Sequence, residues 1–463
     1  MATVLSNFGA PTINGVAAQR VLSNTLLDNV YQGLIEKNGE GVTQKYTDDT
    51  SGAEIRILHV KPTVQVAREL GAMINGGNFN SDNAVQPETD SIGLRVLTTL
   101  DKPIDIANVT LSMIPVDLAA AKMKDYSNQV NVNINAMTVA GKYFATFEKA
   151  AKDASTENVN ITTYTSGTNL RDAIMAANSL LDDGQPEMGI TIFPQIGRCY
   201  VMQTSYRTTL MTTGVFVIGG ANYAYDMQAK GVISPGAEPR KLEDGYIGIL
   251  DEVPCHIMST YIFNVAAQYL GIEAKDVKHV VGYVSSDIAN VRALAAPRDI
   301  KVIDCPRGAG ITLQPITRMG FKVLDGYEKG NSFIVDSTFS NVYTGLNTLF
   351  SLGGNYDNYF TFIGAGSRVK IAATAASSAA TKVTITSALA SKIAIVAVAS
   401  TTTINSVTDF LAAYTAAGAT AKAADAVSGT EKTLAGATAG MVAYGLAMAA
   451  DGTCVLCHVT VAS

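Results

Sequence analysis

PVDLAAAKMKDYSNQVNVNINAMTVAGKYFATFEK, residues 115–149, decides how the rest of the chain is read. Apolar or small residues return at Val116, Ala119, Met123, Tyr126, Val130, Ile134, Met137, Gly141 and Phe144, in steps that line one stripe of a helix. Pro115 suits the first helical turn because its missing N–H would have no partner there, and Asp117 puts negative charge where the helix dipole favours it. The competing reading is a strand over Val130-Asn131-Val132-Asn133-Ile134-Asn135, which alternates with period two and holds poor helix formers. A helix of about 35 residues would run about 50 Å, longer than an ordinary domain needs. Such a rod suits an extended, plate-like subunit.

Composition narrows the function classes. At 463 residues the chain has length for about two to four domains. Hydrophobic residues make up 47% and charged residues 16%, a low charge content that points to surface covered by other subunits. The net charge of −6, with no lysine or arginine cluster, argues against a protein that binds nucleic acid by neutralising phosphates, so any contact with DNA is expected to be loose. Cys199, Cys255, Cys305, Cys454 and Cys457 have no framework spacing, which fits a reducing cytosol without disulfides. The opening MATVLSNFGAPTINGVAAQR lacks a charged n-region before a long apolar run, and no window reaches about 18 uninterrupted apolar residues, so neither export nor membrane insertion is expected.

Upstream of the long helix, residues 1–44 mix Gly, Pro, Asn and Ser around one short helical pattern, Val21 to Glu36. GAEIRILHV (Gly52 to Val60) reads as a strand, INGGNFNSDNAVQPETD as a turn-rich tip, and Ser91 to Met113 as the return strand. Residues 45–112 are therefore expected to form a two-stranded ribbon, and since an isolated hairpin is marginal in water, to lie on a neighbouring chain.

Downstream, Asn158 to Thr165 reads as a strand. Thr168 is placed to cap a helix carrying Leu170, Ile174, Ala177 and Leu181 on one face, with Gly184 to end it. Ile190 to Phe193 reads as a buried strand that Pro194 breaks. Tyr246 to Leu250 and Val253 to Met258 form a hairpin around Asp251-Glu252. His279 to Ser285 reads as a strand, SSDIANVRALAAP (285–297) as a helix stopped by Pro297, and Ile311 to Ser337 as two or three strands. Strands and helices alternate without the spacing of a doubly wound sheet, so the fold class is α+β. Past Gly364 the chain turns rich in alanine, serine, threonine and valine, which marks a separate small α+β or β-rich domain over 366–463. Its expected elements are strands Lys382 to Thr386, Ile393 to Ala399 and Cys454 to Val461 and a helix over Asn405 to Ala417, and its removal is expected to leave the rest able to assemble.

Motifs that carry chemistry are incomplete. Cys454-Val455-Leu456-Cys457-His458 matches the C-x-x-C-H pattern, but its valines make it a strand and no second cysteine pair completes a zinc site. Cys255 and His256 are adjacent on a strand and point to opposite faces. The glycine-rich fragments INGGN, GGAN, RGAG and GAGS never complete a phosphate-binding loop, and histidines 59, 256, 279 and 458 have no ligand spacing. Asp182-Asp183 and Asp251-Glu252 read as solvated charge at a helix end and a turn. No catalytic, cofactor-binding or metal residue is assigned, no cofactor is expected, and the chain is read as a structural protein rather than an enzyme.

The order of elements from 1 to 337 resembles the major capsid proteins of tailed bacteriophages, the HK97-like fold. That family runs from an N-terminal arm through a long β-ribbon, the E-loop, and a spine helix to interleaved peripheral and axial domains. The corresponding stretches here are 1–44, 45–112 and 113–365, with the spine helix at 115–151. The local matches are NLRDAIMAANSLLDD followed by GITIFPQIGRCYVM, the hairpin GYIGILDEVPCHIMS, the helix SSDIANVRALAAP and the closing RMGFKVLDGYEKGNSFIV. The resemblance implies a subunit that self-assembles as hexamers and pentamers into an icosahedral head around double-stranded DNA. It also implies a portal and decoration or auxiliary capsid proteins as partners, assembly in the host bacterial cytoplasm and residence in the virion. A minimal capsid subunit has no counterpart to 366–463, which resembles domains that such proteins display on the outer surface. No long charged helical segment precedes the arm, so a separate scaffolding protein is expected. Alternatives are an encapsulin-type compartment shell and a secreted filament or surface-layer protein.

Overall fold

The computed structural model of the chain describes residues 34–47, 54–60, 87–93, 95–98, 104–107, 117–153, 160–165, 170–186, 189–212, 245–250, 253–295, 301–304, 310–314, 316–352, 370–378, 382–424 and 430–462. Among the described residues five strands come first, β1 (Thr43–Thr47), β2 (Glu54–Val60), β3 (Pro87–Gly93), β4 (Arg95–Thr98) and β5 (Ile104–Ala107). A 37-residue helix follows, α1 (Asp117–Asp153), so the helical periodicity prevails over the strand reading of 130–135. At 1.5 Å per residue it is about 55 Å long. Its poor helix formers are held by other elements: Asn135 Oδ1 accepts from Ile35 N at 3.4 Å, and Tyr269 donates to Asn133 Oδ1 at 3.1 Å. From Ile134 to Tyr143 every residue is buried, so the single stripe expected from the sequence becomes a helix enclosed on all sides.

The body is built from β6 (Ile161–Tyr164), α2 (Leu170–Asp182), β7 (Arg198–Gln203), α3 (Arg207–Thr212), β8 (Tyr246–Leu250), β9 (Val253–Met258), α4 (Thr260–Leu270), α5 (Ala274–Val277) and β10 (Val280–Ser286). It continues through β11 (Asn290–Ala295), β12 (Lys301–Asp304), β13 (Gly310–Gln314), β14 (Ile316–Val323), β15 (Asn331–Asp336) and α6 (Val342–Phe350). A six-stranded sheet in the order β6-β15-β10-β7-β9-β8 lies at its centre. Period two along β7 sends Tyr200 and Met202 to the face covered by α2 and Cys199 and Val201 to the face covered by α1 and α4. On that second face the Phe147 ring lies 5.1 Å from that of Phe333, tilted by 58°, and Phe333 lies 5.3 Å from Tyr283. Gly282 in β10 is required by close approach, since a Cβ there would lie 2.6 Å from Val201 O and 2.5 Å from Met202 Sδ. Gly282→Val is therefore expected to lower stability by about 1–3 kcal/mol, the usual range for an overpacked core. Thermal unfolding of the variant reads this directly, and an unchanged midpoint would contradict it.

Three expectations are corrected here. Ile190–Phe193 is not a strand: Ile190 makes an isolated bridge to Gln185, Ile192 is 50% exposed, and the strand is β7 further on. Charge hid it, because Arg198 opens β7 yet is fully buried, its guanidinium donating to Asn178 Oδ1 and Asp182 Oδ1 at 2.7 Å and to Phe193 O. In SSDIANVRALAAP the two serines end β10 and a turn leads into β11 rather than a helix. Pairing on both edges, parallel to β1 and antiparallel to β14, overrides the alanine-rich propensity. That string was one of those carrying the family resemblance, and that part of the likeness goes with it. The helix expected over Val21–Glu36 lies outside the described residues except at Leu34, Ile35 and Glu36, which are not helical.

A second sheet, β1-β11-β14-β4, and a third, β12-β13-β5, receive the return limb of the ribbon: β4 pairs with β14 and β5 with β13, both antiparallel. The ribbon itself pairs β2 with β3 from Glu54 opposite Gly93 to Val60 opposite Pro87. The return strand starts earlier than expected, since Pro87–Asp90, read as the end of the turn-rich tip, already pair with β2; the rest of the tip lies outside the described residues.

The last part comprises β16 (Thr374–Ser378), β17 (Lys382–Thr386), β18 (Ala390–Val398), α7 (Val407–Ala416), β19 (Lys422–Ala424), β20 (Glu431–Leu434), β21 (Val442–Ala449) and β22 (Cys454–Thr460). It forms two sheets, β16-β17-β20 and β19-β18-β21-β22, and among the described residues none of its strands pairs with the body. The expected boundary near 366 lies outside the described residues. Packing ties the part down nonetheless. Ile393, Ile395 and Ala397 face the smaller sheet, whereas Ala394, Val396, Leu446 and Met448 join the same apolar core as Phe147, Phe263 and Tyr343. Asp276 accepts from Thr408 N at 3.0 Å and from its hydroxyl, and Cys454 N donates to Gly271 O at 3.0 Å.

Candidate functional site

The residues that invite a chemical reading are kept apart by the strands that carry them. Cys454 faces the core shared with the body and Cys457 the interior between the two C-terminal sheets, so their sulfurs cannot converge on one ion or one haem. Burial also pushes the Cys457 thiol up to about 11 and the Cys255 thiol up to about 12, values at which neither is a nucleophile near neutral pH. Cys255 points toward α2 while its neighbour His256 points to the other face, where Nε2 lies 3.4 Å from Glu40 Oε2. Asp182 is taken by Arg198, and Asp251-Glu252 lies outside the described residues, as do INGGN, GGAN and GAGS. Among the described residues no group of three or more His, Cys, Asp or Glu could hold a metal ion. No described helix is long and apolar enough to cross a membrane.

One half-exposed cluster has the residue types of a relay. His279 Nδ1 lies 2.8 Å from both Asp336 Oδ2 and Thr338 Oγ1, and Tyr206 donates to Asp336 at 3.0 Å. Burial pushes the Asp336 carboxyl up, but the hydrogen bonds from Thr338, His279 and Tyr206 outweigh it and hold the group below its usual range. Carboxylate and hydroxyl meet the same ring nitrogen, so the ring cannot pass a proton from one to the other. The cluster ties the end of β15 to the start of β10.

The densest polar site is one that sequence reasoning missed. Residues 34–44 fold into a tight turn whose Glu36, only 1% exposed, reaches under α1. There Glu36 pairs with Lys142, accepts from Ser285 Oγ at 3.0 Å and accepts from Tyr283 OH at 3.1 Å. Arg292 donates to Glu36 O and to Gln44 Oε1 at 2.9 Å, and Asn290 Nδ2 donates to Gly41 O at 3.0 Å. Gly41 has φ +71° and lies so close that a Cβ would meet Ser285 Oγ at 2.4 Å and Glu36 Oε1 at 2.7 Å. Desolvation lowers the Lys142 ammonium from its ordinary value, partly offset by Glu36, and burial raises the Cys199 thiol well above its own. This arrangement holds and orients; none of its groups has the exposure that catalysis on a substrate needs. The signal in the sequence was Lys142 itself, the sole charged residue between Asp125 and Glu148.

No protein-family model and no curated protein matches the chain. Solved structures similar to it include the mature capsid of bacteriophage PhiM1, with TM-score 0.39 and 11% identity over 64% of this chain and 86% of that one. The capsid of Ralstonia phage GP4 has TM-score 0.40 and 13% identity over 63% of this chain and 86% of that one. A virus-like particle from Pyrococcus furiosus has TM-score 0.37 and 9% identity over 68% of this chain and 97% of that one.

Proposed function

We propose that the chain is the shell-forming subunit of a tailed-phage head, built on the HK97-like plan. The observation that carries this reading is the order of parts: an N-terminal edge strand, a two-stranded ribbon, a 37-residue helix, and a layered body into whose sheets the ribbon's return limb is stitched. A rod of about 55 Å suits a flat tile rather than a globule with a cleft. On this reading the subunits assemble as hexamers and pentamers around double-stranded DNA. A separate scaffolding protein, a portal and auxiliary capsid proteins assist in the host cytoplasm. With net charge −6 the inner wall makes only weak, non-specific contact with DNA. The segment from 366 onward is an accessory domain displayed on the shell, and the chain is structural rather than enzymatic.

Electron microscopy of particles made by the chain in a bacterial host tests this. Icosahedral heads that contain DNA and carry tails support it. Filaments or dispersed monomers overturn it, and closed shells without DNA or tail give the compartment reading instead.

The ribbon offers a second test. β2 and β3 pair only with each other among the described residues, too little for independent stability, so on this reading a neighbouring subunit covers the ribbon. Amide exchange over 54–60 and 87–93 is expected to be fast in free subunits and slower in shells by more than tenfold. Equal rates in the two states would mean that the ribbon is not an interface.

A further inference from the structure

We propose that Asn38-Gly39 is a self-modification site: whenever the turn 38–44 opens, Asn38 loses its side-chain nitrogen as ammonia, and the product bars the turn from closing again. The inference goes beyond the shell reading and does not depend on it, because the reaction needs only this segment and water. An asparagine followed by glycine reacts most readily, since glycine has no Cβ to hinder its own backbone nitrogen or to restrict its dihedral angles. The Gly39 nitrogen sheds its proton and attacks Asn38 Cγ, a five-membered imide closes, and the Cγ–Nδ2 bond breaks as the nitrogen takes up a proton and leaves. Water then opens the ring at either carbonyl. One opening gives aspartate, and the other gives isoaspartate, in which the main chain runs through the former side chain. The sum is amide plus water to acid plus ammonia, with no oxidant or reductant.

Access is present, and the fold withholds the reaction. Asn38 and Gly39 are both exposed, so water reaches them, and a Cβ built on Gly39 would meet nothing within 4 Å. Each reacting group is nevertheless tied. Asn38 Oδ1 accepts from Gln44 N at 2.8 Å, which fixes the carboxamide. Gly39 N donates to Val42 O at 3.0 Å, which holds on the nitrogen the proton it must shed. Asn38 and Val42 also form a bridge, and Gly41 N donates to Gly197 O at 2.8 Å, pinning the turn to the loop before β7. Reaction therefore requires local opening, and its rate follows the population of the open form. The consequence reaches the buried site, because Gln44, whose N–H Asn38 receives, accepts from Arg292 through Oε1 at 2.9 Å. Aspartate at 38 keeps an oxygen for Gln44 N. Isoaspartate lengthens the main chain between 38 and 39 by one carbon, so the bridge to Val42 and the bond to Gln44 are not both remade. A turn that stays open long enough to react is thus marked and left open.

Peptide mapping of the full-length chain, held at mildly alkaline pH and sampled over time, tests this. In denaturant Asn38 is expected to convert alongside Asn14 and Asn75, which also precede glycine. In the folded chain its conversion is expected to be slower by about tenfold or more. Gly41→Ala places a Cβ where it would meet Ser285 Oγ at 2.4 Å, and is expected to recover most of the lost rate. The parent chain in denaturant short of its unfolding midpoint gives the same reading without a substitution, and is expected to react faster than in buffer. Equal rates in folded and denatured chains overturn the gating. An Asn38 that stays intact in denaturant while Asn14 and Asn75 convert overturns the site. Amide exchange over 34–47 judges the lock: refolded chains carrying isoaspartate at 38 are expected to lose protection there by about tenfold or more, whereas N38D chains taken through the same treatment keep it. Protection retained by both overturns the one-way opening.

Discussion

Glu36→Gln is expected to destabilise the folded chain by about 3–5 kcal/mol at neutral pH, because it leaves the Lys142 ammonium fully buried without its counter-charge. The loss should depend on pH in a definite direction. Lys142 titrates below the ordinary lysine value of 10.5 when folded, so between its folded value and 10.5 the unfolded chain binds more protons and stability rises with pH. Removing Glu36 deepens that lowering, so the variant should recover part of its stability as the solution is made alkaline. Replacing the pair together, Glu36→Gln with Lys142→Met, is expected to recover most of the loss at every pH, since an apolar side chain of similar length needs no partner. Denaturant titrations of the single and double variants at neutral and alkaline pH measure all of this. A single variant as stable as the parent chain would show that the pair does not hold the segment down.

Deleting residues 367–463 is expected to have an effect as large. Composition alone suggests a removable module, and its strands indeed pair among themselves, but the apolar face of β18 and β21 and the side chains Val407 and Phe410 of α7 belong to the core that α1, α4 and α6 also fill. Leu411 sits directly against Gly345, where even a Cβ would come within 2.5 Å of its Cδ1. Each large apolar side chain returned to water removes about 1.5–3 kcal/mol, and a few of them equal a typical domain's whole stability of about 5–15 kcal/mol. The truncated chain is therefore expected to aggregate on expression. Soluble truncated subunits with an unchanged unfolding midpoint would establish a module that only rests on the body.

The elements that were legible in the sequence are those whose partners lie close in the chain or whose burial has one period. α1, α2, the hairpin β8–β9 and the strand β17 follow directly from apolar spacing, Gly184 and the Asp251-Glu252 signal in the sequence. What escaped was set by distant partners. β11 carries helix-forming residues, yet it sits between β1 and β14, and its Arg292 donates to the Glu36 carbonyl and the Gln44 side chain. β7 opens with an arginine that looks solvent-bound until Asn178 and Asp182 are folded against it. The buried site was missed for the same reason: a lysine within an apolar stripe was visible, but nothing local named Glu36 as its partner.

The parallel pairing of β1 with β11 also orders events during synthesis. The hydrogen bond between Gln44 and Arg292 spans 248 positions. Ribosomes add about 5–20 residues per second, so roughly 12–50 s separate the emergence of the two. The first described segment to leave the ribosome is thus among the last to be fixed, and through that interval the nascent polypeptide carries an unplaced pair of glutamates. Closure cannot precede translation of Arg292, which makes any chain that stops short of β11 incompetent for assembly by its own topology.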